Sequence, residues 1–456
     1  MKRIRFLLTL WAAKLAGQIS RLLGKGTAHA AGVFGLRLMP DLIRHFRGID
    51  PEKVWFITGT NGKSSSNNAV VTCLRGAGFR VTTNLEGANL ITGVATALIR
   101  DASLTGKIRS DVCVFETDER FLAQIHRDLP AGNLCVTNIQ KDQVQRNGEP
   151  DYIYQKIRGV IGPEMTLYVN NEEPRSASLG RFAGRTIRYS VDRHTKSFEK
   201  HGRFDVAMPC PCCGGRIRFR YYNVENVGAF ECCDCGFRSD PEPDLRVSDV
   251  DFERMRFRCG GEEFPMPYEQ PFFLYNYALA LAVSQQLGVP AEKAAAALAA
   301  FRNIGGRVET VRYGAKVIRY IRIKQENPET LQSAFDYVAQ DPHPKVLLYG
   351  LGQVEDYKPF YTNTFYAFDC DSEGMIRSGL EHVICFSKAV AYDAANRMLY
   401  AGLPEDRLTI LPEDSSAAIL DTLDGLACDN IYLITLLHKF EELAADCGRR
   451  EEVRHV

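Results

Sequence analysis

The chain has 456 residues, of which 45% are hydrophobic and 25% are charged. Such a length allows two or three hydrophobic cores, since single domains usually span about 100–200 residues. The 56 basic and 56 acidic residues cancel to a formal net charge of zero. Bulk charge therefore gives no support for nucleic-acid binding or for a strongly acidic partner. We expect a soluble protein of several domains.

The N-terminal segment, residues 1–46, starts with basic residues and continues with an apolar run. Lys14 interrupts this run well before the about 20 residues that a membrane-spanning helix needs. The large apolar residues recur at helical spacing and predict a basic amphipathic helix. They are Leu7, Leu10, Trp11, Leu15, Ile19 and Leu22. Such a helix either packs on the next domain or makes peripheral contact with the inner membrane surface.

The segment VWFITGTNGKSSS, residues 54–66, joins an apolar run to a glycine turn. Its GTNGK[ST] pattern is a compact variant of the P-loop, in which backbone N–H groups and a helix N-terminus bind phosphate oxygens. Lys63 would add a point charge, and the Ser64 hydroxyl would ligate magnesium. Because a strand-like run precedes the turn and a helix-compatible run follows it, we interpret the turn as a nucleotide-binding loop.

Strand-like and helix-like runs alternate over residues 47–190, which is typical of a parallel sheet with crossover helices. Ligands of such sheets bind beyond the carboxyl ends of the strands. Polar residues at these ends are therefore site candidates: Thr58–Lys63, Asn84, Glu116–Glu119, Asn138 and Asn170–Glu173. Helical patterning returns at LYNYALALAVSQQLGV and AEKAAAALAAF, so we assign a central ATP-binding α/β domain to residues 47–311.

A second alternating segment follows and predicts a smaller C-terminal α/β domain over residues 312–456. Its expected strands are near VIRYIRI, KVLLYGL, TFYAFD, HVICFS and NIYLITLL. Its expected helices are near PETLQSAFDYVAQ, AYDAANRMLYAG and SSAAILDTLDG.

Six of the 14 cysteines lie within residues 210–235, and the others are scattered among apolar neighbours. Two C-x-x-C pairs, each followed by glycine, have the spacing of a zinc ribbon inserted at residues 195–245. The predicted ligands are Cys210, Cys213, Cys232 and Cys235, with Cys212 and Cys233 as alternatives within each pair. Four thiolates leave no open position, so the zinc would be structural. Scattered free thiols and an ATP-type loop favour a reducing, cytoplasmic compartment.

Several motifs resemble the Mur ligase family in type and order: GTNGKSSSNN, ETDE, VTNIQKDQVQRNGE, YVNNEEP, LYNYALA and GGRVE. More narrowly, the chain is similar to the MurT branch of that family, as a divergent member. The narrowing features are NLEGANLITGVATAL, DQ in place of the usual DH, the four-cysteine insertion and SKAVAYDAANRMLYAG. The resemblance is strongest over residues 54–310 and implies the Mur ligase fold.

The resemblance also implies residue roles. Thr60, Asn61, Gly62, Lys63, Ser64 and Ser65 would hold the ATP phosphates. Ser64 and Glu116 would bind Mg²⁺, Asn276 would meet the adenine, and Arg307 would approach the phosphates or ribose. The implied activity is ATP-dependent amidation of the D-glutamate α-carboxylate of lipid II, a peptidoglycan precursor, with ammonia from a GatD-type glutaminase.

The C-terminal part departs from the family pattern. Where relatives carry an acidic loop that meets the glutaminase, this chain reads GLGQVEDYKPFYTNTFYAFDCD. Asp356 is the nearest candidate for the catalytic aspartate completing the partner's triad, and Asp369 is the second. The departure leaves two other hypotheses open: a Mur-type ligase with a different amine and carboxylate, and a non-catalytic nucleotide-binding scaffold.

Overall fold

A computed structural model describes residues 2–22, 29–85, 89–142, 148–199, 208–302, 308–323, 327–352, 367–388 and 390–454. These residues form two compact units. The first contains the described residues up to Gln140 and those from 148 to 302. The second contains residues 141–142 and the described residues from 308 onward. Each unit has its own sheet.

The described part of the first unit contains a nine-stranded sheet. Its strands are β1 (Val54–Thr58), β2 (Val81–Thr83), β3 (Val112–Glu116), β4 (Asn133–Val136), β5 (Thr166–Asn170), β6 (Arg185–Val191), β10 (Leu245–Asp251), β11 (Arg256–Cys259) and β12 (Glu262–Pro265). Their order is β12-β11-β10-β6-β5-β4-β1-β3-β2. The seven strands β1 to β6 and β10 pair in parallel, whereas β11 and β12 add an antiparallel end. The predicted parallel α/β fold is confirmed.

Both faces of this sheet are covered by helices. They are α1 (Lys2–Leu22), α2 (Ala30–Leu38), α3 (Lys63–Gly76), α4 (Ile91–Asp101), α5 (Leu122–Asp128), α6 (Pro150–Arg158), α7 (Pro174–Leu179), α8 (Phe272–Gln286) and α9 (Ala291–Ala299). Alternate residues of β1 enter opposite cores: Trp55 packs with α3 and α8, and Phe56 packs with α1 and α4. This explains why the β1 sequence is apolar throughout, since a parallel sheet is buried on both faces.

The helix α1 packs on the first unit through one face only, where Phe6, Leu10 and Ala13 are fully buried. Gly17 allows a close approach to α2, because a Cβ there would lie 3.1 Å from Ala31 Cβ. Within the described ranges, none of the helices combines the length and apolarity needed to cross a bilayer.

A small antiparallel sheet lies between β6 and β10 in the sequence. Its strands are β7 (Met208–Pro209), β8 (Arg216–Phe219) and β9 (Phe230–Cys232). The inserted four-cysteine ribbon is thus confirmed as a separate element of the fold. Leu245 pairs with Tyr189 and Val247 with Val191, so the chain re-enters the large sheet beside the point where it left.

The second unit has a six-stranded sheet among its described residues, in the order β13-β14-β18-β15-β16-β17. The strands are β13 (Val308–Tyr313), β14 (Lys316–Ile321), β15 (Lys345–Gly350), β16 (Leu380–Phe386), β17 (Leu408–Leu411) and β18 (Asn430–Thr435). The helices are α10 (Pro328–Gln340), α11 (Ser372–Arg377), α12 (Val390–Tyr400), α13 (Ser416–Asp424) and α14 (Leu437–Arg454). Short 3-10 helices cover Leu42–His45, Pro51–Lys53, Gly180–Phe182 and Glu405–Arg407.

The strand expected at TFYAFD is wrong over its described part, where Ala367 is helical and residues 368–370 form a turn and a bend. The buried Arg397 side chain explains the difference. Its Nε donates to Ala367 O at 3.2 Å, and its Nη2 donates to Cys370 O at 2.8 Å. The guanidinium, which also pairs with Glu373 at 2.8 Å, thus occupies carbonyls that a strand would use in a ladder.

Candidate nucleotide site and zinc ribbon

The predicted nucleotide loop connects the end of β1 to the start of α3. Gly59 has a φ of 126° and Gly62 a φ of 81°, values that side chains other than glycine rarely adopt. Space is also restricted: a Cβ on Gly59 would collide with Thr137 Oγ1, and one on Gly62 would lie 3.0 Å from Asn276 Oδ1. Both glycines are therefore required by the backbone conformation and by the close neighbours.

The residues that follow β4 hold the loop from one side. Thr60 N donates to Asn138 O at 2.8 Å, and Asn61 N donates to Asn138 Oδ1 at 2.8 Å. Thr137 Oγ1 donates to Asn61 O at 2.8 Å. Strand β4 neighbours β1 in the sheet, with Thr58 paired to Val136, so the two strand ends place these groups together.

Lys63 is 7% exposed, and its ammonium lies against the loop. Nζ donates to the carbonyl oxygens of Gly59 and Thr60, the latter at 3.2 Å. It also pairs with Glu119 Oε1 at 3.0 Å, and both side chains are nearly buried. A buried cation needs such partners, because desolvation without them would cost several kcal/mol. Terminal phosphates bound at this loop would compete with Glu119 for the ammonium.

Glu116 ends β3, and its backbone pairs with Ile57 of β1 two residues before the loop. The Asn84 side chain fixes this backbone: Nδ2 donates to Glu116 O, and Oδ1 accepts from Glu116 N, both at 2.9 Å. Asn89 Nδ2 approaches Glu116 Oε1 at 3.4 Å. A carboxylate at this strand end and the exposed Ser64 at the start of α3 provide oxygen ligands of the kind that Mg²⁺ prefers.

Asn276 lies on α8, beside the loop rather than on a remote surface. Its Oδ1 accepts from Ser66 Oγ at 2.9 Å, and the side chain is buried. Among the described residues, Asn276 Nδ2 has no hydrogen-bond partner. The contact with adenine stays a prediction. Arg307 and Asp356 lie outside the described residues.

Gln140, which was not predicted from the sequence, joins three segments. Its backbone N donates to Thr60 Oγ1 at 2.9 Å, and its Oε1 accepts from Asn61 Nδ2 at 2.8 Å. Its Nε2 donates to Glu225 O at 2.9 Å, in the connection between β8 and β9 of the ribbon. One amide side chain thus links the nucleotide loop to the inserted ribbon. Its position just after a strand next to β1 is the signal that could have identified it.

The ribbon connection is also anchored on Glu172, a fully buried residue after β5. Gly228 N donates to Glu172 O at 2.9 Å. The Glu172 carboxyl accepts from Tyr275 Oη at 2.6 Å and from Val191 N at 2.9 Å. Burial raises the pKa of Glu172 to about 7, although the Tyr275 hydrogen bond favours the ionised form. Burial and hydrogen bonding thus shift the pKa of Glu172 in opposite directions, and the effect of burial is the larger.

Glu173, the next residue, caps α7. Its carboxyl oxygens accept from Arg175 N at 3.2 Å and Ser176 N at 2.8 Å, and Oε2 also accepts from Ile139 N at 3.1 Å. Burial raises its pKa as well. The YVNNEEP motif therefore contributes buried structural carboxyls, which fix the β5 end against the segment that carries Gln140.

The four predicted zinc ligands meet in the ribbon. The Sγ atoms of Cys210, Cys213, Cys232 and Cys235 all lie within 4.8 Å of one another. The Cys210–Cys235 distance is 3.8 Å and the Cys213–Cys232 distance 3.6 Å. Tetrahedral zinc with Zn–S bonds of about 2.3 Å requires Sγ–Sγ distances of about 3.8 Å, so this thiolate set fits a zinc ion. Among the described residues, this group of mutually close sulfur atoms does not include Cys212 or Cys233.

Backbone amides point to three of these sulfurs. Cys212 N approaches Cys210 Sγ at 3.4 Å, Gly215 N approaches Cys213 Sγ at 3.3 Å, and Asp234 N approaches Cys232 Sγ at 3.5 Å. Amide donors of this kind stabilise thiolates, the form in which cysteine binds a metal.

In the second unit, Asp369 pairs with Lys141 at 2.8 Å, and both side chains are about one third exposed. Asp369 was the second candidate for an aspartate that meets a partner. An exposed ion pair of this kind contributes little to stability.

Comparisons with known proteins agree with this fold. A family profile described as MurT ligase C-terminal matches residues 325–436. The lipid II isoglutaminyl synthase subunit MurT of Streptococcus pneumoniae is 27% identical over 94% of this chain and 96% of its own. The MurT subunit of Staphylococcus aureus is 24% identical over 82% of this chain and 83% of its own.

Among solved structures, a pseudomurein peptide ligase type C from Methanothermus fervidus superposes with a TM-score of 0.65. The match covers 90% of this chain and 81% of that one at 18% identity, so it supports the fold alone. The chain is a divergent relative of the MurT subunits and has the Mur ligase fold.

Proposed function

We propose that this protein is the ATP-using subunit of an amidotransferase that converts the D-glutamate α-carboxylate of lipid II to an amide. The observation that carries the proposal is the nucleotide loop itself, where Lys63, Ser64 and Glu116 lie around one end of β1 in a MurT-like chain. We expect a cytoplasmic location, at the membrane face that presents a lipid-linked acceptor.

The proposed reaction forms a carbon–nitrogen bond in two steps. The substrate carboxylate attacks the γ-phosphorus of ATP, giving an acyl phosphate and ADP. Ammonia then attacks the acyl carbon, and inorganic phosphate leaves. Activation is needed because a carboxylate is a poor acceptor for an amine. The protein would contribute positioning and charge stabilisation more than covalent chemistry.

Each residue of the candidate site has a distinct proposed role. Thr60–Ser65 would bind the phosphates, and the Lys63 ammonium would leave Glu119 to neutralise charge on the transferring phosphoryl group. Ser64 and Glu116 would hold a magnesium ion, which would help to neutralise the charge on the transferring phosphoryl group. Asn276 would contact the adenine and Arg307 the phosphates or ribose. Zinc in the ribbon would be structural.

The partner supplying ammonia would be a GatD-type glutaminase, with Asp356 as the residue that completes the partner's site. The proposal rests here on the likeness to MurT subunits, whose printed name describes a glutamine-hydrolysing synthase. A free-standing ligase with a different amine would share the nucleotide loop but would not need that partner.

The test is mass spectrometry of lipid II incubated with the protein, ATP, magnesium and ammonium chloride. Conversion of one carboxylate to an amide is expected. Lys63→Ala should lower the rate by about a hundredfold or more, because the phosphoryl group loses its main cation. Lys53→Ala, an exposed lysine just before β1, is the matched control. Protein that binds ATP and zinc but leaves lipid II unchanged would contradict the proposal and favour a ligase with another acceptor.

A further inference from the structure

The helix α1 has a second apolar face, which is exposed. Six large hydrophobic side chains on it are between 46% and 87% exposed. They are Ile4, Leu8, Trp11, Leu15, Ile19 and Leu22. At 100° per residue these six fall within an arc of about 80°. The buried residues Phe6, Leu10 and Ala13 lie on the opposite side of the helix. We call the six exposed residues the outer stripe.

Neighbouring segments widen this apolar surface. Trp11 Nε1 donates to Leu104 O at 2.9 Å, and Leu104 is itself 67% exposed. Arg5 donates to Leu38 O at 2.8 Å, and Leu38 is also exposed. Exposed apolar residues are common singly, but a contiguous group of this size marks an interaction site.

The charged side chains of α1 itself all have one sign. Residues 1–40 contain seven Lys or Arg and no Asp or Glu. On the helix, Arg5 flanks one side of the stripe, and Arg3, Lys14 and Arg21 flank the other. Where their contacts are described, Arg3 and Lys14 donate to backbone carbonyls, which do not cancel the charge. An apolar stripe between two rows of cations suits a surface of anionic headgroups over acyl chains.

We propose that α1 docks the protein on an anionic lipid bilayer, with the helix lying in the plane of the interface and the outer stripe inserted. A helix of 21 residues presents about 32 Å of length to the surface. A second copy of the chain is a poorer occupant, because a two-fold contact would bring the same cations together. This inference goes beyond the proposed ligase reaction and does not depend on it.

Trp11 provides a direct probe, since the chain has two tryptophans and the other, Trp55, is 2% exposed. Fluorescence and co-sedimentation would be measured with vesicles of phosphatidylcholine alone and of phosphatidylcholine mixed with phosphatidylglycerol, without lipid II. We expect a blue shift of Trp11 emission and pelleting with the anionic vesicles only, both weakened by salt.

Leu8→Gln combined with Leu15→Gln should weaken partitioning by about tenfold or more, because both side chains would lose apolar burial. These residues are exposed, so the fold should persist. Tyr400→Gln, at an exposed aromatic residue of the second unit, is the matched control. Arg21→Glu should weaken binding to anionic vesicles.

Three results would overturn the proposal: equal binding to both vesicle types, unchanged binding of the double variant, or a blue shift without vesicles that accompanies dimer formation. The last would identify a second copy of the chain as the occupant. Since the vesicles lack lipid II, failure here is distinguishable from failure of the ligase proposal.

Discussion

Glu116 and Glu119 stand three residues apart, yet their carboxylates have different partners. Glu119 pairs with Lys63, whereas Glu116 lies at the strand end beside the loop and near Asn89. If Glu116 is the magnesium ligand, Glu116→Gln should raise the Mg²⁺ concentration for half-maximal ATP turnover by about tenfold or more.

Glu119→Gln is the matched control for that titration and should leave the Mg²⁺ requirement nearly unchanged. If Glu119→Gln raised the Mg²⁺ concentration for half-maximal turnover and Glu116→Gln did not, Glu119 would be identified as the ligand. Both variants make the same change in side-chain charge, so a general electrostatic effect cannot produce the difference.

Glu172 predicts a pH dependence of stability. Burial raises its folded-state pKa to about 7, above the ordinary value of 4.5, so folding favours the protonated form. The contribution of this carboxyl to the free energy of unfolding is therefore fully present below pH 4.5, the ordinary pKa. It is lost as the pH rises through about 7, the folded-state pKa. The difference in pKa corresponds to roughly 3 kcal/mol.

Denaturation between about pH 5 and about pH 8 would measure this effect. The free energy of unfolding should fall less steeply with pH in Glu172→Gln, with part of the slope retained because burial raises the pKa of Glu173 too. Glu164→Gln, at an exposed position, should match the parent chain. An unchanged slope in Glu172→Gln would show that this carboxyl stays ionised in the folded protein.

At the scale of elements, the ribbon offers a test with adjacent cysteines. Cys232 belongs to the four-thiolate group, and Cys233 is exposed and outside it. Cys232→Ser should abolish stoichiometric zinc binding and lower the melting temperature, since structural zinc supplies folding free energy. Cys233→Ser should keep both properties of the parent chain. Zinc retained in Cys232→Ser, or lost in Cys233→Ser, would contradict the assigned ligand set.

Much of the first unit follows from the sequence, because buried parallel strands are short apolar runs. The runs at β1 and β3 to β5 were therefore recognised. Strands β10 to β12, at the antiparallel end of the sheet, were missed, since charged residues such as Arg246 and Arg256 interrupt their apolar pattern. Both arginines are exposed, as is possible where one face of an antiparallel part of a sheet meets solvent.

Only those residues of the candidate site that lie within one short sequence motif were predictable. Gly59, Gly62 and Lys63 belong to one short motif, so spacing alone identified them. Gln140 contacts Glu225, which is 85 residues away in sequence. No local pattern encodes that pairing, because the strand order that brings β4 beside β1 is set by packing of the whole sheet.

At the scale of the whole molecule, the proposed function distinguishes ligation at the nucleotide loop from the use of glutamine-derived ammonia through Asp356, which lies within the range of the MurT C-terminal match. If Asp356 serves only the glutaminase partner, Asp356→Ala should remove glutamine-dependent amidation while ammonium-dependent amidation persists. Asp369→Ala, which breaks the exposed pair with Lys141, should leave both activities near the parent level. Equal loss of both activities in Asp356→Ala would instead place that residue in the ligase reaction.

The link through Gln140 has a thermodynamic consequence. If the metal-loaded ribbon favours the loop shape that binds ATP, then ATP must favour zinc retention by the same factor, because coupling between two binding equilibria is reciprocal. Zinc release to a chelator should accordingly slow when ATP is bound. Gln140→Leu should remove both the effect of ATP on zinc retention and the effect of zinc on ATP affinity. Gln155→Leu, at an exposed position on α6, should preserve it. The inserted ribbon would then act as a thermodynamic partner of the nucleotide, even though it contributes none of the proposed ATP ligands.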